Sequence, residues 1–340
     1  MTGVSFIVPV RNGARWLAEM LEAILAQADG RPLEVIAVED GSSDESPAIL
    51  RQFAASGRVR VIDGPRRGAA AAINAGVRQA QHPIICQVDQ DVIVQPGWMA
   101  RLAAELDAPE VAAAQGWYAT DPRADLWARA MGRDLEQRYG RIRAPFVDHV
   151  CTGNSAYRAE ALLEVGLFDE QLGYGYDNDM SYRLAAAGFK LKFCREARSV
   201  HHWKSGALGY LKQQYGQGYG RLDLIAKHRR RYHGDDVSGP LMILHAPLML
   251  AALAAFTVAA ALAIAGGPWR APALGAGCVI ALLAGERLGA GIWAVHRFRD
   301  WAGLYFVPAH LLRDVAWVLA LITWSARRLR GRPTRPTDSM

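Results

Sequence analysis

Two carboxylates, Asp89 and Asp91, stand two residues apart at the end of the apolar run Pro83–Val88. Side chains alternate along an extended chain, so both point to the same side. There they offer oxygen donors suited to a hard cation, Mg2+ or Mn2+, of the kind that usually also binds phosphate groups. A diphosphate bridged by such an ion leaves easily, because the charge developing on it is neutralised. An isolated Asp-x-Asp is often only an acidic turn. This one has company: Val10–Asn12 closes the apolar run that starts at Val4, and Glu39–Asp44 follows Leu33–Val38.

The elements that must position these clusters are readable from hydrophobic period. Val4–Val10, Leu33–Val38, Val59–Ile62 and Pro83–Val88 read as strands. Trp16, Leu17, Met20, Leu21, Ile24 and Leu25 recur at helical spacing. A second helix is expected to begin near Ser43 as its N-cap, and an Ala-rich third to run over Gly68–Ala80. This alternation is the α/β class: a mostly parallel sheet flanked by helices on both faces. Ligands of such sheets sit outside the carboxyl ends of the strands, where all three polar clusters fall. No Gly-x-Gly-x-x-Gly and no Gly-rich Lys loop occurs, which disfavours dinucleotide oxidoreductases and P-loop enzymes.

Composition narrows the classes further. The 340 residues are 51% apolar, which excludes a disordered chain, and four scattered Cys exclude a disulfide scaffold. The net charge of +6 resides wholly in the chain from Leu241 onward, where ten Arg face four acids. The first two-thirds is electrically balanced, so no nucleic-acid partner is expected. Leu241–Ala265 is 25 residues without a formal charge, long enough to cross a bilayer. Ala273–Val295, interrupted by Glu286 and Arg287, is a second such segment, and its two charges are expected to face protein or water. Trp301–Ala326 is a third. Basic clusters at Lys227–Arg231, Arg297–Arg299 and Arg327–Arg335 all favour the cytoplasmic side, which makes a hairpin of the first two segments and an interfacial or re-entrant helix of the third, with a third span as the alternative. The expected organisation is a cytoplasmic domain over 1–225, a basic linker over 226–240, a membrane region over 241–326 and a basic cytoplasmic tail over 327–340. Expected localisation is the inner (plasma) membrane, in contact with membrane lipid. Two or three helices without an internal repeat offer no transport pathway.

Read together, PVRNGA (Pro9–Ala14), VEDGSSDES (Val38–Ser46), GAAAAINAG (Gly68–Gly76) and QVDQDV (Gln87–Val92) resemble the inverting glycosyltransferases of family 2. CTGNSAYRAEALLEVGLFDE (Cys151–Glu170), YDNDMSYRLAAAGFKLKF (Tyr176–Phe193) and ARSVHHW (Ala197–Trp203) resemble that family's downstream segments. The resemblance covers about residues 3 to 225 and implies the nucleotide-diphospho-sugar transferase (GT-A) fold, with C-terminal transmembrane or interfacial helices in this membrane-anchored, bacterial-type member. It implies that Asp40, with Pro9, Arg11 and Asn12 at the end of the first strand, binds the nucleotide. Asn74 secures the loop beneath it. Asp89 touches ribose or metal, and Asp91 ligates the metal, with His201 (or, less well spaced, His202) completing the metal or diphosphate site. Asp177 is the general base, Gly153 and Asn154 shape the sugar pocket, and Arg183 is an ion-pair partner on the Asp177 helix.

The chain departs from the family in carrying Tyr176 where a Glu usually precedes the base, which leaves the acceptor pocket around Tyr176 open. It also lacks a Gln-x-x-Arg-Trp motif, so a processive synthase is disfavoured. The implied partners are a nucleotide-diphospho-sugar donor and a lipid-linked saccharide acceptor. A polyprenyl phosphate acceptor and a catalytically silent nucleotide-binding scaffold are the alternatives.

Overall fold

The computed structural model describes residues 2–229 and 235–331. Arg230, Arg231, Arg332 and Arg335, and with them part of the expected linker and most of the expected tail, lie outside the described residues. The chain divides into two compact units. Over the described residues, the first comprises the chain up to Asp121 together with Arg141–Trp203, and the second comprises Pro122–Gly140 and the chain from Lys204. The division does not follow chain order, because the helix of residues 126–139 groups with the C-terminal helices.

The first unit is built on an eight-stranded sheet. Strands β1 (Val4–Val10), β2 (Leu33–Glu39), β3 (Arg60–Asp63) and β4 (Ile84–Val88) are parallel, in the order β3-β2-β1-β4. Helices α1 (Ala14–Leu25), α2 (Ser46–Ala55) and α3 (Ala69–Gln79) connect them. β1 is buried along its whole length, as a central strand covered on both faces must be. Beyond β4 the sheet continues through β7 (Asn154–Arg158), β6 (Val111–Thr120), β8 (Lys190–His201) and β5 (Val92–Val94). Here β4 with β7, β6 with β7, and β5 with β8 are antiparallel. From β1 the strands are added on one side as β2 and β3 and then on the other as β4, so the strand order reverses between β1 and β4, the kind of switch point at which open α/β sheets bind ligands. Helices α4 (Trp98–Glu105), α6 (Ala159–Glu164) and α7 (Tyr176–Ala186) complete the unit.

The start of α2 differs from the sequence expectation. Ser43 is not its N-cap; the helix begins at Ser46, after Glu45. The Ser43 N–H instead donates to Asn12 Oδ1 at 2.7 Å, so a tie between loops displaces the local cap.

The second unit holds α5 (Leu126–Tyr139), α8 (Gly206–Lys227) and the apolar helices α9 (Pro240–Ile264), α10 (Arg270–Phe298) and α11 (Phe306–Leu329), the last preceded by a 3-10 turn over Trp301–Tyr305. Leu241–Ile264, Arg270–Phe298 and Trp301–Leu329 are each long and apolar enough to cross a membrane. The two charges interrupting the second segment differ in burial. Arg287 is buried against Asp314 of α11, whereas Glu286 is 43% exposed, 3.8 Å from Arg287. Asp125 anchors two helix starts in this unit. Its Oδ1 accepts from Trp127 N (2.8 Å) and Ala128 N (2.9 Å) at the head of α5, and its Oδ2 accepts from Gly206 N (3.0 Å) at the head of α8. Asp125→Ala is expected to cost about 1–2 kcal/mol, the usual worth of a lost cap, measured as the shift in unfolding midpoint in detergent. An unchanged midpoint would show that water replaces both sets of bonds.

Candidate active site

Parallel register brings the strand ends level. Val10 pairs with Glu39, and Ile7 with Gln87, so the segments after β1, β2 and β4 lie side by side. The first two are stitched together. Asn12, in a left-handed conformation at φ 54, donates its N–H to Ser42 Oγ and accepts from Ser43 N. Gly13 N donates to Ser46 Oγ at 2.9 Å, and Ala14 N to Asp44 Oδ2 at 3.0 Å. Arg11 is fastened to the third segment by a reciprocal pair: its N–H donates to Gln90 Oε1 and its carbonyl accepts from Gln90 Nε2, both at 2.8 Å. Pro9 is buried within β1 one residue earlier than Val10.

Asp40 is 1% exposed, and its carboxylate folds the loop that follows β3. Oδ1 accepts from Arg66 N at 2.6 Å and Oδ2 from Gly68 N at 3.3 Å. Burial pushes its pKa up, against the pull of those two N–H groups. Asn74, also 1% exposed, spends its whole amide on the Phe168–Glu170 turn. Its Nδ2 donates to Phe168 O (2.8 Å) and Glu170 Oε1 (3.0 Å), and its Oδ1 accepts from Phe168 N (3.0 Å). As placed, Asn74 ties two segments together.

The two carboxylates after β4 sit at the centre. β5 begins directly after Asp91 and pairs with the end of β8 in the register Val92↔His201. That pairing brings His201 Nε2 to 3.4 Å from Asp91 Oδ1. His201 leans on Tyr118 (ring centroids 4.9 Å) and meets the edge of Trp203 (3.8 Å), and its Nδ1 is buried without a hydrogen-bond partner among the described residues. His202 turns away: its ring stacks on Trp16 at 3.6 Å, and its Nδ1 lies 3.9 Å from Asp121 Oδ2. Of the two histidines, the structure brings His201 to the Asp pair. Asp89 has its pKa pushed up to about 6, by burial first and then by the neighbouring charge of Asp91, with Asp177 adding to the rise. Carboxylates crowded this closely are the setting a cation relieves.

Among the described residues, no group of three His, Cys, Asp or Glu side chains is disposed to hold a metal alone. Two donors, Asp91 and His201, stand together beside a third carboxylate. A hard cation that keeps waters and takes substrate phosphate oxygens asks for one or two protein carboxylates rather than a full cage, so the residues present fit such an ion.

Asp177 lies in the first turn of α7, after Gly175. Its Oδ1 accepts from Asn178 N at 2.9 Å, and its Oδ2 is 3.7 Å from His149 Nε2. Arg183 is an ion-pair partner one turn on, with Nε 2.8 Å from Asp179 Oδ2, and it also donates to the carbonyls of Val165 and Leu167. Tyr176 accepts from Thr152 Oγ1 at 3.4 Å, and burial together with the charges of Asp89 and Asp177 pushes its phenol pKa up. Gly153, at φ +84, presses on Asp89: a Cβ there would lie 2.4 Å from Asp89 Oδ2. Asn154 is 0% exposed, and its Oδ1 accepts from Trp98 Nε1 at 2.6 Å.

Sequence reasoning missed four participants: Gln87, Gln90, His149 and Tyr118. The two glutamines stood in the quoted motif, and for Gln87 a Gln inside an otherwise apolar strand was the available signal. His149 and Tyr118 carried none, because only tertiary pairing brings them in.

Residues 5–166 match the sequence model of Glycosyl transferase family 2. The chain is 28% identical over 254 residues to the pre-mycofactocin glycosyltransferase of Mycobacterium tuberculosis, a match covering 72% of this chain and 51% of that protein. It thus spans about half the length of that relative. It is 26% identical over 291 residues to the succinoglycan biosynthesis protein ExoA of Rhizobium meliloti, covering 83% of this chain and 86% of that one. In fold it is similar to the mannosyltransferase PcManGT of Pyrobaculum calidifontis, solved with GDP-Man and Mn2+, with a TM-score of 0.56 at 20% identity over 92% of this chain and 86% of that one. Over residues 5–166 the chain is therefore similar to the family 2 glycosyl transferases, and its fold is that of the GT-A glycosyltransferases.

Proposed function

We propose that the chain is an inverting, metal-dependent glycosyltransferase that moves one sugar from a nucleotide-diphosphate donor to a lipid-linked saccharide. Its catalytic domain would be cytoplasmic, on the inner (plasma) membrane. The observation that supports this best is the meeting of His201 with Asp91, 3.4 Å apart, beside the buried Asp89. Asp91 and His201 would hold Mg2+ or Mn2+, with Asp89 toward ribose or metal. Such an ion, when bound, neutralises charge on the departing diphosphate. Pro9, Arg11, Asn12 and Asp40 would frame the nucleotide, and Gly153 and Tyr176 the sugar. Asp177 takes the proton of the acceptor hydroxyl. The acceptor oxygen bonds to the anomeric carbon as the bond from that carbon to phosphate oxygen breaks, and the electron pair leaves with the diphosphate. A single displacement of this kind inverts the anomeric centre. Three apolar helices on the same chain support an acceptor held in the bilayer. The relative named for succinoglycan biosynthesis, matched along most of both chains, supports polysaccharide assembly.

The test is a thermal-shift series on detergent-purified chain with UDP, GDP, TDP and CDP, each with and without Mn2+. A ligand at a hundred times its Kd raises stability by about 2.7 kcal/mol. One nucleotide is expected to stabilise the chain in a Mn2+-dependent way, and Asp91→Ala to remove the Mn2+ increment. Stabilisation by no nucleotide would sink the donor-site reading.

A further inference from the structure

Gln87 is the last residue but one of a buried strand, with Ile85, Cys86 and Val88 beside it, and is itself 0% exposed. An amide there costs free energy unless its hydrogen bonds are made. Both ends are used. Nε2 donates to Asp89 Oδ1 at 2.8 Å, and Oε1 accepts from the N–H of Gly153. Residues two apart on a strand share a face, which is why residue 87 and no other on β4 can reach the Asp89 carboxylate in this way. Asp89 Oδ2 in turn lies against Gly153, where no Cβ would fit. A second amide matches the first. Gln115 of β6, 1% exposed, accepts from Cys151 N at 2.7 Å. β7 lies between β4 and β6, so the segment 151–153 that enters it hangs from one glutamine on either side. From its middle, Thr152 reaches Tyr176, the residue before Asp177.

We propose that Gln87 is a positioning residue of the donor site: its buried amide fixes the Asp89 carboxylate against Gly153 and so presents it toward metal and donor. The inference rests on the reading of Asp89 as a donor-site residue. It concerns a side chain that touches neither substrate nor metal, so its effect must pass through Asp89.

Gln87→Met keeps the length and removes both hydrogen bonds. Gln87→Glu keeps the acceptor for the Gly153 N–H and removes the amide donor to Asp89. Each is made in the full chain, and the nucleotide that stabilises the unsubstituted chain is titrated with and without Mn2+. Partners in the shell outside a metal site typically change metal affinity 10–100-fold. Both variants are therefore expected to weaken Mn2+-dependent nucleotide binding at least about tenfold, while binding without Mn2+ changes less than about twofold. A merely structural role moves both by one factor, and that result would overturn the proposal, as would binding by Gln87→Glu equal to that of the unsubstituted chain. A Gln87→Met chain that does not fold leaves Gln87→Glu to decide. If the unsubstituted chain shows no Mn2+ increment, the donor-site reading fails instead. The contact is then judged by unfolding midpoints of Gln87→Glu, Asp89→Ala and the double variant, where non-additive shifts are expected and additive ones overturn it.

Discussion

Asp177→Asn is expected to lower transfer by about 10²–10⁴-fold, the usual worth of a positioned general base, while nucleotide binding stays within about twofold. Asn has the shape of Asp, and its carbonyl oxygen still accepts from Asn178 N, the bond Asp177 makes at 2.9 Å. What it lacks is a site for the acceptor's proton. The first turn of α7 loses one negative charge, which at a helix N-terminus is worth about 0.3–1 kcal/mol; Asp179 remains in the same turn. The chain should therefore fold. The measurement is incorporation of labelled sugar into membrane lipid by membranes carrying each form, beside a thermal-shift titration with the donor nucleotide. Transfer at the unsubstituted rate would take Asp177 out of the reaction. Loss of nucleotide binding in parallel with transfer would mean that Asp177 supports the donor site rather than serving the acceptor.

The β1–β4 half of the fold was legible because its signals are local. Val4–Val10 agrees with the observed strand to the residue, and the Ala-rich run Gly68–Ala80 brackets α3 by one residue at each end. Polar residues at strand ends located the site, since parallel register sets Glu39 beside Val10 and Gln87 beside Ile7 and so brings the segments after all three strands to one edge of the sheet. The rest depends on pairings that no local period encodes. The meeting of His201 with Asp91 is fixed by the three-residue strand β5 lying antiparallel to β8, across more than a hundred residues of chain. The same limit explains Ser43, Asn74 and Asn154. Each is a polar residue beside a motif, and each makes a hydrogen bond to a partner distant in sequence: Asn12, Phe168 and Trp98 respectively. Sequence position locates such a residue near the site, but whether its side chain points at a ligand or at the scaffold is settled by what else competes for it. The membrane segments were legible for the opposite reason. Length without charge is a one-dimensional property, and all three segments are helices whose ends differ from the expected ones by a few residues.

Gly153→Ala is the second large effect. It contains two separable penalties. The backbone at Gly153 has φ +84, a region that costs a residue bearing Cβ roughly 1–2 kcal/mol. The added methyl would also sit 2.4 Å from Asp89 Oδ2 and 2.7 Å from Tyr118 Oη. The carboxylate is held by Gln87 on its other oxygen and cannot step aside without breaking that bond. Gly166 supplies the control, because it has φ +87 with open space around the would-be Cβ. Gly166→Ala should show the backbone cost alone, with Mn2+-dependent nucleotide binding unchanged. Gly153→Ala should be less stable than Gly166→Ala by about a further 1–3 kcal/mol, the range for overpacking, and should lose at least about tenfold in Mn2+-dependent nucleotide binding as Asp89 is displaced. Unfolding midpoints and nucleotide titrations of the two variants, run side by side, check both parts. Equal midpoints together with equal binding would show that the contact between Gly153 and Asp89 does nothing to hold the carboxylate, and would move the origin of donor-site geometry away from the segment 151–153.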